Sequence, residues 1–291
     1  MAKRRGLQAN CAGIITGASS GIGKALALDL AKKRQARLVI CARSADDLEA
    51  TKRDVEERGG KAEIICGDLA ADPHLVELLA KTALDSYGQI DFVVNNAGLG
   101  HPGTFMKLTP ADWDRVFRVN FFAPLYLTYE VLPHFLKQQH GKIVNIASVA
   151  GKIAFPGSVC YASSKFALTG FSEGLATEVT QMGIDVLTVC PGWVRTEFFE
   201  KNNMSAAKNP TLIARKNDLR GFLMRSVLSM SSEDASRDII QAMEKGGSHE
   251  LIMTGPGVFA DRFKALFPGL LARLLEKAPL AAVDSSNSTE R

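Results

Sequence analysis

Tyr161 and Lys165, in the run Tyr161-Ala162-Ser163-Ser164-Lys165, stand four residues apart. On a helix that spacing sets a phenol beside an ammonium. A nearby cation favours the phenolate and lowers the tyrosine pKa toward the working pH of a general acid or base. Tyr-x-x-x-Lys alone occurs by chance in many helices, so its meaning depends on its company. A second chemical signal lies upstream, where Thr16-Gly17-Ala18-Ser19-Ser20-Gly21-Ile22-Gly23 follows a short apolar run and leads into a helix beginning near Lys24. Glycines there let the backbone turn tightly and let a pyrophosphate approach a helix N-terminus, whose free N–H groups and dipole favour anions. It is not a P-loop, because Ala18 stands where the first glycine belongs and Ala25 replaces the Ser or Thr that holds magnesium. Nor is it Gly-x-Gly-x-x-Gly, since three residues rather than one separate the first two glycines.

The elements that must position these groups are legible as short Val- and Ile-rich runs between longer helical patterns. The runs are 13–16, 38–41, 62–66, 92–94, 142–146, 185–190 and 251–253. Such alternation predicts right-handed βαβ units and an α/β fold: a doubly wound, Rossmann-like parallel sheet of about seven strands with helices on both faces, in a single domain. Ser44 with Asp47 and Thr109 with Pro110 mark helix starts, and Gly59-Gly60 marks a stop. Two stretches break the pattern. An insert without a clear strand runs from Trp193 to about Met230, and an extension follows residue 255, ending in a tail from Asp284 that reads as disordered.

A chain of 291 residues with 46% hydrophobic and 23% charged residues has ample core for a globular enzyme. Its net charge of +4 is partly local to Lys3, Arg4 and Arg5, so a nucleic-acid surface is not expected. The five cysteines are scattered, with no Cys-x-x-Cys and no His cluster at ligand spacing, which implies a reducing compartment and no metal. Cys41, Cys66 and Cys190 fall in strand-like runs and are expected to be buried. The residues after the basic start read as a strand rather than a signal peptide, and no run of 18 apolar residues occurs. A cytoplasmic protein is expected.

With these residues in order and spacing, the chain resembles the short-chain dehydrogenase/reductase family from about Ala12 to Thr254. The likeness rests on the turn from Thr16 to Gly23, Asn95-Asn96-Ala97-Gly98, Asn120, Ser148, Tyr161 with Lys165, and Pro191-Gly192. It implies a catalytic set of Asn120, Ser148, Tyr161 and Lys165. Ser148 would hydrogen-bond a substrate carbonyl while Tyr161 protonates it. Lys165 would lower the Tyr161 pKa and bond the nicotinamide ribose, and Asn120 would hold a water leading to solvent. Alternatively, Ser148 merely ends a strand and Asn120 caps or bridges helices. The resemblance further implies cofactor contacts from Gly17, Ser19, Ser20, Gly21, Ile22 and Gly23, then Asp68, Leu69, Asn96, Ala97, Gly98, Tyr161, Lys165, Pro191, Gly192, Val194 and Thr196. Asp68 could equally be a helix cap.

Cofactor choice is read at the end of the second strand. Members preferring NAD usually carry a carboxylate where this chain has Ala42, and Arg43 follows, with Ser44 beside it. A guanidinium suits a 2′-phosphate, so NADP(H) is expected. The insert offers Trp193, Phe198, Phe199, Met204, Phe222, Leu223, Met224, Leu228 and Met230, which as a substrate lid over about 193–230 would suit a bulky hydrophobic ketone or alcohol, steroid-like, retinoid-like or long-chain. His101 reads as a lone surface histidine rather than one that reaches the pocket rim. The extension 256–291 shows apolar stripes of two short helices, from Val258 to Phe267 and from Leu270 to Leu275, able to cover the pocket, pack on a second subunit or lie on a membrane surface. Here the chain departs from the acyl-carrier reductases it otherwise resembles. A homodimer through the helices after Asn96 and after Tyr161 remains the family expectation. The leading function is an NADPH-dependent carbonyl reductase; the alternatives are reduction of 3-oxoacyl thioesters and a non-catalytic NADP(H)-sensing protein, which would be expected to lose the tyrosine or the lysine.

Overall fold

The computed structural model describes residues 6–196 and 229–277. Seven parallel strands form one sheet: β1 (Ala12–Thr16), β2 (Arg37–Ala42), β3 (Lys61–Cys66), β4 (Phe92–Asn95), β5 (Gly141–Ile146), β6 (Ile184–Cys190) and β9 (His249–Ile252), in the order β3-β2-β1-β4-β5-β6-β9. A separate two-stranded pair, β7 (Trp193–Val194) with β8 (Ser229–Met230), brackets the insert, a pairing the sequence did not signal. The helices are α1 (Gly21–Arg34), α2 (Ala45–Glu57), α3 (Leu75–Tyr87), α4 (Pro110–Phe117), α5 (Ala123–Gln138), α6 (Val159–Val179), α7 (Ser232–Lys245), α8 (Gly255–Leu266) and α9 (Pro268–Glu276).

The central strands are apolar without alternation because helices cover both faces; every residue of β1 and of β5 is buried. Two large apolar clusters result. One packs α1, α2 and α7 against the sheet around Leu26, Leu30 and Ile239, and the other packs α3, α5 and α6 around Leu79, Leu127 and Phe135. Local chemistry sets the helix ends as expected: Ser44 Oγ accepts from the Asp47 N–H, Thr109 and Asp112 form a reciprocal capping box, and Gly59 takes a positive φ of 86° just past α2. The order reverses between β1 and β4, which opens a crevice at the carboxyl ends of the strands. The glycine turn, the loop after β4 and the loop after β5 all meet there.

One cysteine departs from expectation. Cys41 and Cys190 are buried, but Cys66 is exposed, because β3 is the edge strand and Cys66 its last residue. The lid residues Phe198, Phe199, Met204, Phe222, Leu223, Met224 and Leu228 lie outside the described residues.

Candidate active site

The turn between β1 and α1 is shaped by contacts that forbid side chains. A Cβ on Gly17 would lie 2.8 Å from Asn96 Nδ2 and one on Gly23 would lie 2.4 Å from the Gly17 carbonyl oxygen. Gly17 and Gly21 also hold φ values of 67° and 56°, which glycine adopts at least cost. Asn96 locks this turn to the loop after β4: its Nδ2 donates to the carbonyls of Thr16 (2.9 Å) and Gly17 (3.0 Å), while the Asn96 and Ala97 N–H groups donate to Thr16 Oγ1. The first turn of α1 carries no acidic residue, so nothing opposes an anion at its amino end.

The Tyr161 and Lys165 side chains are buried on α6, at 9% and 3% exposure. Lys165 Nζ donates to the Ile146 carbonyl at the end of β5 (2.8 Å) and lies 5.9 Å from the centre of the Tyr161 ring. Burial pushes the Tyr161 phenol up to about 12, against a smaller lowering by its hydrogen bond with the Ser148 hydroxyl. Burial also pulls the Lys165 ammonium down to about 8. The expected lowering of the phenol by its neighbouring cation is therefore not what dominates: desolvation penalises both charged forms and outweighs the pairing. Ser148 caps the short turn Val149–Gly151, its Oγ accepting from the Ala150 N–H at 3.0 Å. It both ends the strand region and faces Tyr161.

Asn120 lies in a π-helical stretch, Arg118–Phe122, between α4 and α5. Such bulges recur at functional sites. Its side chain is spent on bracing: Oδ1 accepts from the Leu99 N–H (2.7 Å), and Nδ2 donates to the Leu99 carbonyl and to Ser164 Oγ (both 2.9 Å). Behind it Asn95, Asn145 and Ser172 form a buried chain that ties β4, β5 and α6 together. That chain was not singled out from sequence, since nothing marks a buried asparagine before its strand is placed.

A cavity of about 620 Å³ joins these groups. Of the expected cofactor contacts it is lined by Gly17, Ser19, Ser20, Gly21, Ile22, Arg43, Ser44, Asp68, Leu69, Asn96, Ala97, Gly98, Tyr161, Lys165, Pro191, Gly192, Val194 and Thr196, and by Ser148 of the catalytic set. Gly23 and Asn120 sit behind the wall, one packed on the turn and the other on α6. Thr196 faces the glycine turn, since a Cβ on Gly21 would meet its Cγ2 at 3.1 Å. His101 is held off the cavity, 3.5 Å from the capping Asp112.

One contribution went unread in the sequence. Arg115 of α4 lines the cavity and pairs with Asp68 at 2.8 Å, while the other Asp68 oxygen accepts from the Ala70 N–H. Burial raises the Asp68 pKa, but the Ala70 N–H and the Arg115 and Arg43 charges outweigh it, and the carboxyl stays below its ordinary value. The extension takes the first of the three roles left open for it: Pro256, Gly257 and Ala260 of α8 line the cavity, and Gly257 is packed so closely that a Cβ there would lie 2.8 Å from Val149 Cγ2.

The comparisons with known proteins agree with this geometry. A family model described as short chain dehydrogenase matches residues 12–207. The chain belongs to the short-chain dehydrogenase family. It is 36% identical over 191 residues to a 3-oxoacyl-[acyl-carrier-protein] reductase of Synechocystis sp., covering 65% of this chain and 76% of that one. It is 30% identical over 272 residues to the dehydrogenase/reductase SDR family member 7B of Bos taurus, covering 91% and 80%. Among solved structures, L-sorbose reductase from Gluconobacter frateurii, complexed with NADPH and L-sorbose, superposes with a TM-score of 0.74 at 28% identity, covering 87% of this chain and 98% of that one. The chain is thus an oxidoreductase of this family.

The residues fit a dinucleotide. A glycine cradle that any Cβ would fill, an amino-terminal helix end free of acidic side chains and an arginine at the end of β2 sit along one continuous cavity.

Proposed function

We propose that this protein is an NADP(H)-dependent carbonyl reductase, reversible as an alcohol dehydrogenase, for a hydrophobic ketone or secondary alcohol. The observation that carries the reading is that Ser148, Tyr161 and Lys165 share the wall of a cavity whose other walls are the glycine turn and apolar residues such as Val149, Phe155, Trp193 and Pro256. Bound NADP(H) supplies hydride donation or acceptance at the carbonyl carbon. Tyr161, protonated at neutral pH by its burial, delivers a proton to the substrate oxygen, and the Ser148 hydroxyl holds that oxygen and the phenol in register. Lys165, fixed to the Ile146 carbonyl, would bond the nicotinamide ribose and stabilise the phenolate as it forms. Asn120 braces α6 against the loop after β4 and acts by positioning.

Arg43 is exposed at the cavity, with no carboxylate at Ala42, and this favours the 2′-phosphate of NADP(H). The NADPH in the L-sorbose reductase structure is consistent with that preference. Reduction of 3-oxoacyl thioesters is the second reading, supported by the likeness to the Synechocystis reductase. A homodimer through α5 and α6 is supported by the exposed Phe122 just before α5, Tyr126 and Tyr129 on α5 and Phe166 on α6. Consumption of NADPH absorbance across a carbonyl panel that includes steroid, retinoid and long-chain ketones and 3-oxoacyl thioesters tests the function. Turnover with the hydrophobic ketones supports it. Turnover with thioesters alone selects the second reading, and no turnover with any carbonyl overturns both.

A further inference from the structure

The last two helices are anchored on one side and apolar on the other. On the anchored side, Lys264 donates to the Lys152 carbonyl and lies 4.8 Å from the centre of the Phe166 ring, and Lys152 reaches within 3.9 Å of Asp261. On the other side, Phe259 stacks on Phe263 and Phe263 meets Phe267 at a tilt, their ring centres 5.8 and 5.5 Å apart. Phe259, Leu266 and Phe267 are 69%, 72% and 52% exposed, and Leu270 and Leu274 of α9 are 50% and 55% exposed. The spacing places Phe259, Phe263 and Leu266 on one stripe of α8, with Phe267 at its C-cap, and Leu270, Leu271, Leu274 and Leu275 within about 140° of the α9 circumference. No residue of α9 is buried, and Gly257 alone is buried in α8. Contiguous exposed apolar surface of this kind marks an interaction site.

The charge beside this face decides its occupant. Asp261 and Lys264 are engaged with the body, which leaves Arg262, Arg273 and Lys277 exposed against Glu276. A second copy docked on the same face would bring like charges together, whereas an anionic bilayer complements them. Helices with Phe and Leu on one face and Arg and Lys beside it lie in the headgroup boundary. Among the described residues no helix is long and apolar enough to cross a membrane, which makes the contact interfacial.

We propose that α8 and α9 dock the protein onto an anionic lipid surface, with the Phe259–Phe267 and Leu270–Leu275 stripes in the acyl boundary and Arg262, Arg273 and Lys277 among the headgroups. The first turn of α8 also lines the cavity, so one helix carries both the lipid contact and a wall of the site. That link to substrate delivery rests on the carbonyl reductase reading; the docking itself does not.

Flotation of the full chain with vesicles of phosphatidylcholine and phosphatidylserine, and with phosphatidylcholine alone, tests it without any use of activity. The wild type is expected to float at least about tenfold more with the anionic vesicles, an effect weakened by salt. Leu270→Glu with Leu274→Glu should abolish flotation with little change in thermal unfolding, because both positions are exposed. Arg273→Glu with Lys277→Glu, which leaves the apolar face intact, should remove the preference for anionic lipid. A wild type that stays in the soluble fraction overturns the proposal, as does a double leucine variant that floats unchanged. Light scattering that shows the leucine substitutions turning a dimer into a monomer, with no vesicle binding by the wild type, gives the face to a second copy instead. All of these outcomes leave the carbonyl panel unaffected.

Discussion

The Asn120 amide donates to the Ser164 hydroxyl at 2.9 Å, and that hydroxyl donates to the Tyr161 carbonyl at 2.7 Å. A residue at the π-helical junction of α4 and α5 thereby holds the turn of α6 that carries the phenol. Its remaining capacity is spent on both backbone groups of Leu99, 21 residues away. Asn120→Ala strands the part-buried N–H and carbonyl of Leu99, each costing about 1–3 kcal/mol where water does not replace the bond. Denaturant unfolding is expected to show a loss of at least about 2 kcal/mol. A variant as stable as wild type would show that these bonds are replaced rather than lost.

Tyr161→Phe removes the hydroxyl and keeps the ring that fills the buried site. NADPH binding, followed by nucleotide fluorescence, should be retained, while turnover falls by about two to four orders of magnitude, the usual worth of general acid–base catalysis. Near-normal turnover in the variant removes Tyr161 from the chemistry.

The raised pKa of Tyr161 fixes the sign of the pH dependence. With a folded value of about 12, the phenol is protonated and ready to donate throughout the neutral range, so kcat/KM for carbonyl reduction should vary little with this group near neutrality. Alcohol oxidation needs the phenolate, whose fraction grows about tenfold per pH unit below the pKa. Oxidation should therefore climb steadily from neutral into alkaline pH. Initial-rate profiles in the two directions check this, and an oxidation rate that is flat with pH contradicts it.

Arg43 and Arg115 stand at the same cavity with different engagements. Arg115 is already paired with Asp68, whereas Arg43 makes no ion pair among the described residues. Arg43→Ala should weaken NADPH by about tenfold to a hundredfold, the loss of a charge-assisted hydrogen bond, and leave NADH nearly unchanged. Arg115→Ala releases Asp68 and should weaken both nucleotides alike, by less. Titrations of each variant with each nucleotide separate the two; an equal effect of Arg43→Ala on NADPH and NADH refutes the 2′-phosphate assignment.

The strand runs and the place of the glycine turn between β1 and α1 were legible because both rest on local signals: apolar runs bounded by turns, and glycines between a strand and a helix. Six of the seven sheet strands match their expected runs to within one residue at each end, while the last begins and ends differently, at His249–Ile252 rather than 251–253. Tyr161 and Lys165 were readable as a pair because their relation is set by one helical turn. The Arg115–Asp68 pair was not, since it joins residues 47 apart through the packing of α4 against the loop after β3. The phenol pKa was misjudged for a related reason. Spacing along the helix gives the neighbouring cation, but only the fold gives the burial that outweighs it.

The same dependence on packing sets a prediction for the extension. Gly257 meets Val149, the residue after Ser148, with no room for a methyl group: a Cβ would lie 2.8 Å from Val149 Cγ2 and 3.2 Å from Thr254 Oγ1. Gly257→Ala must push α8 outward or press Val149 toward the substrate oxygen, at an overpacking cost of about 1–3 kcal/mol. Either response reshapes the end of the cavity nearest the proton donor and leaves the glycine turn untouched. NADPH affinity should be retained, whereas KM should rise more for a bulky ketone than for a small one. Steady-state kinetics with ketones of graded size measure this. A uniform loss at every size would mean that Gly257 matters only for stability, and unchanged constants would remove α8 from the substrate wall.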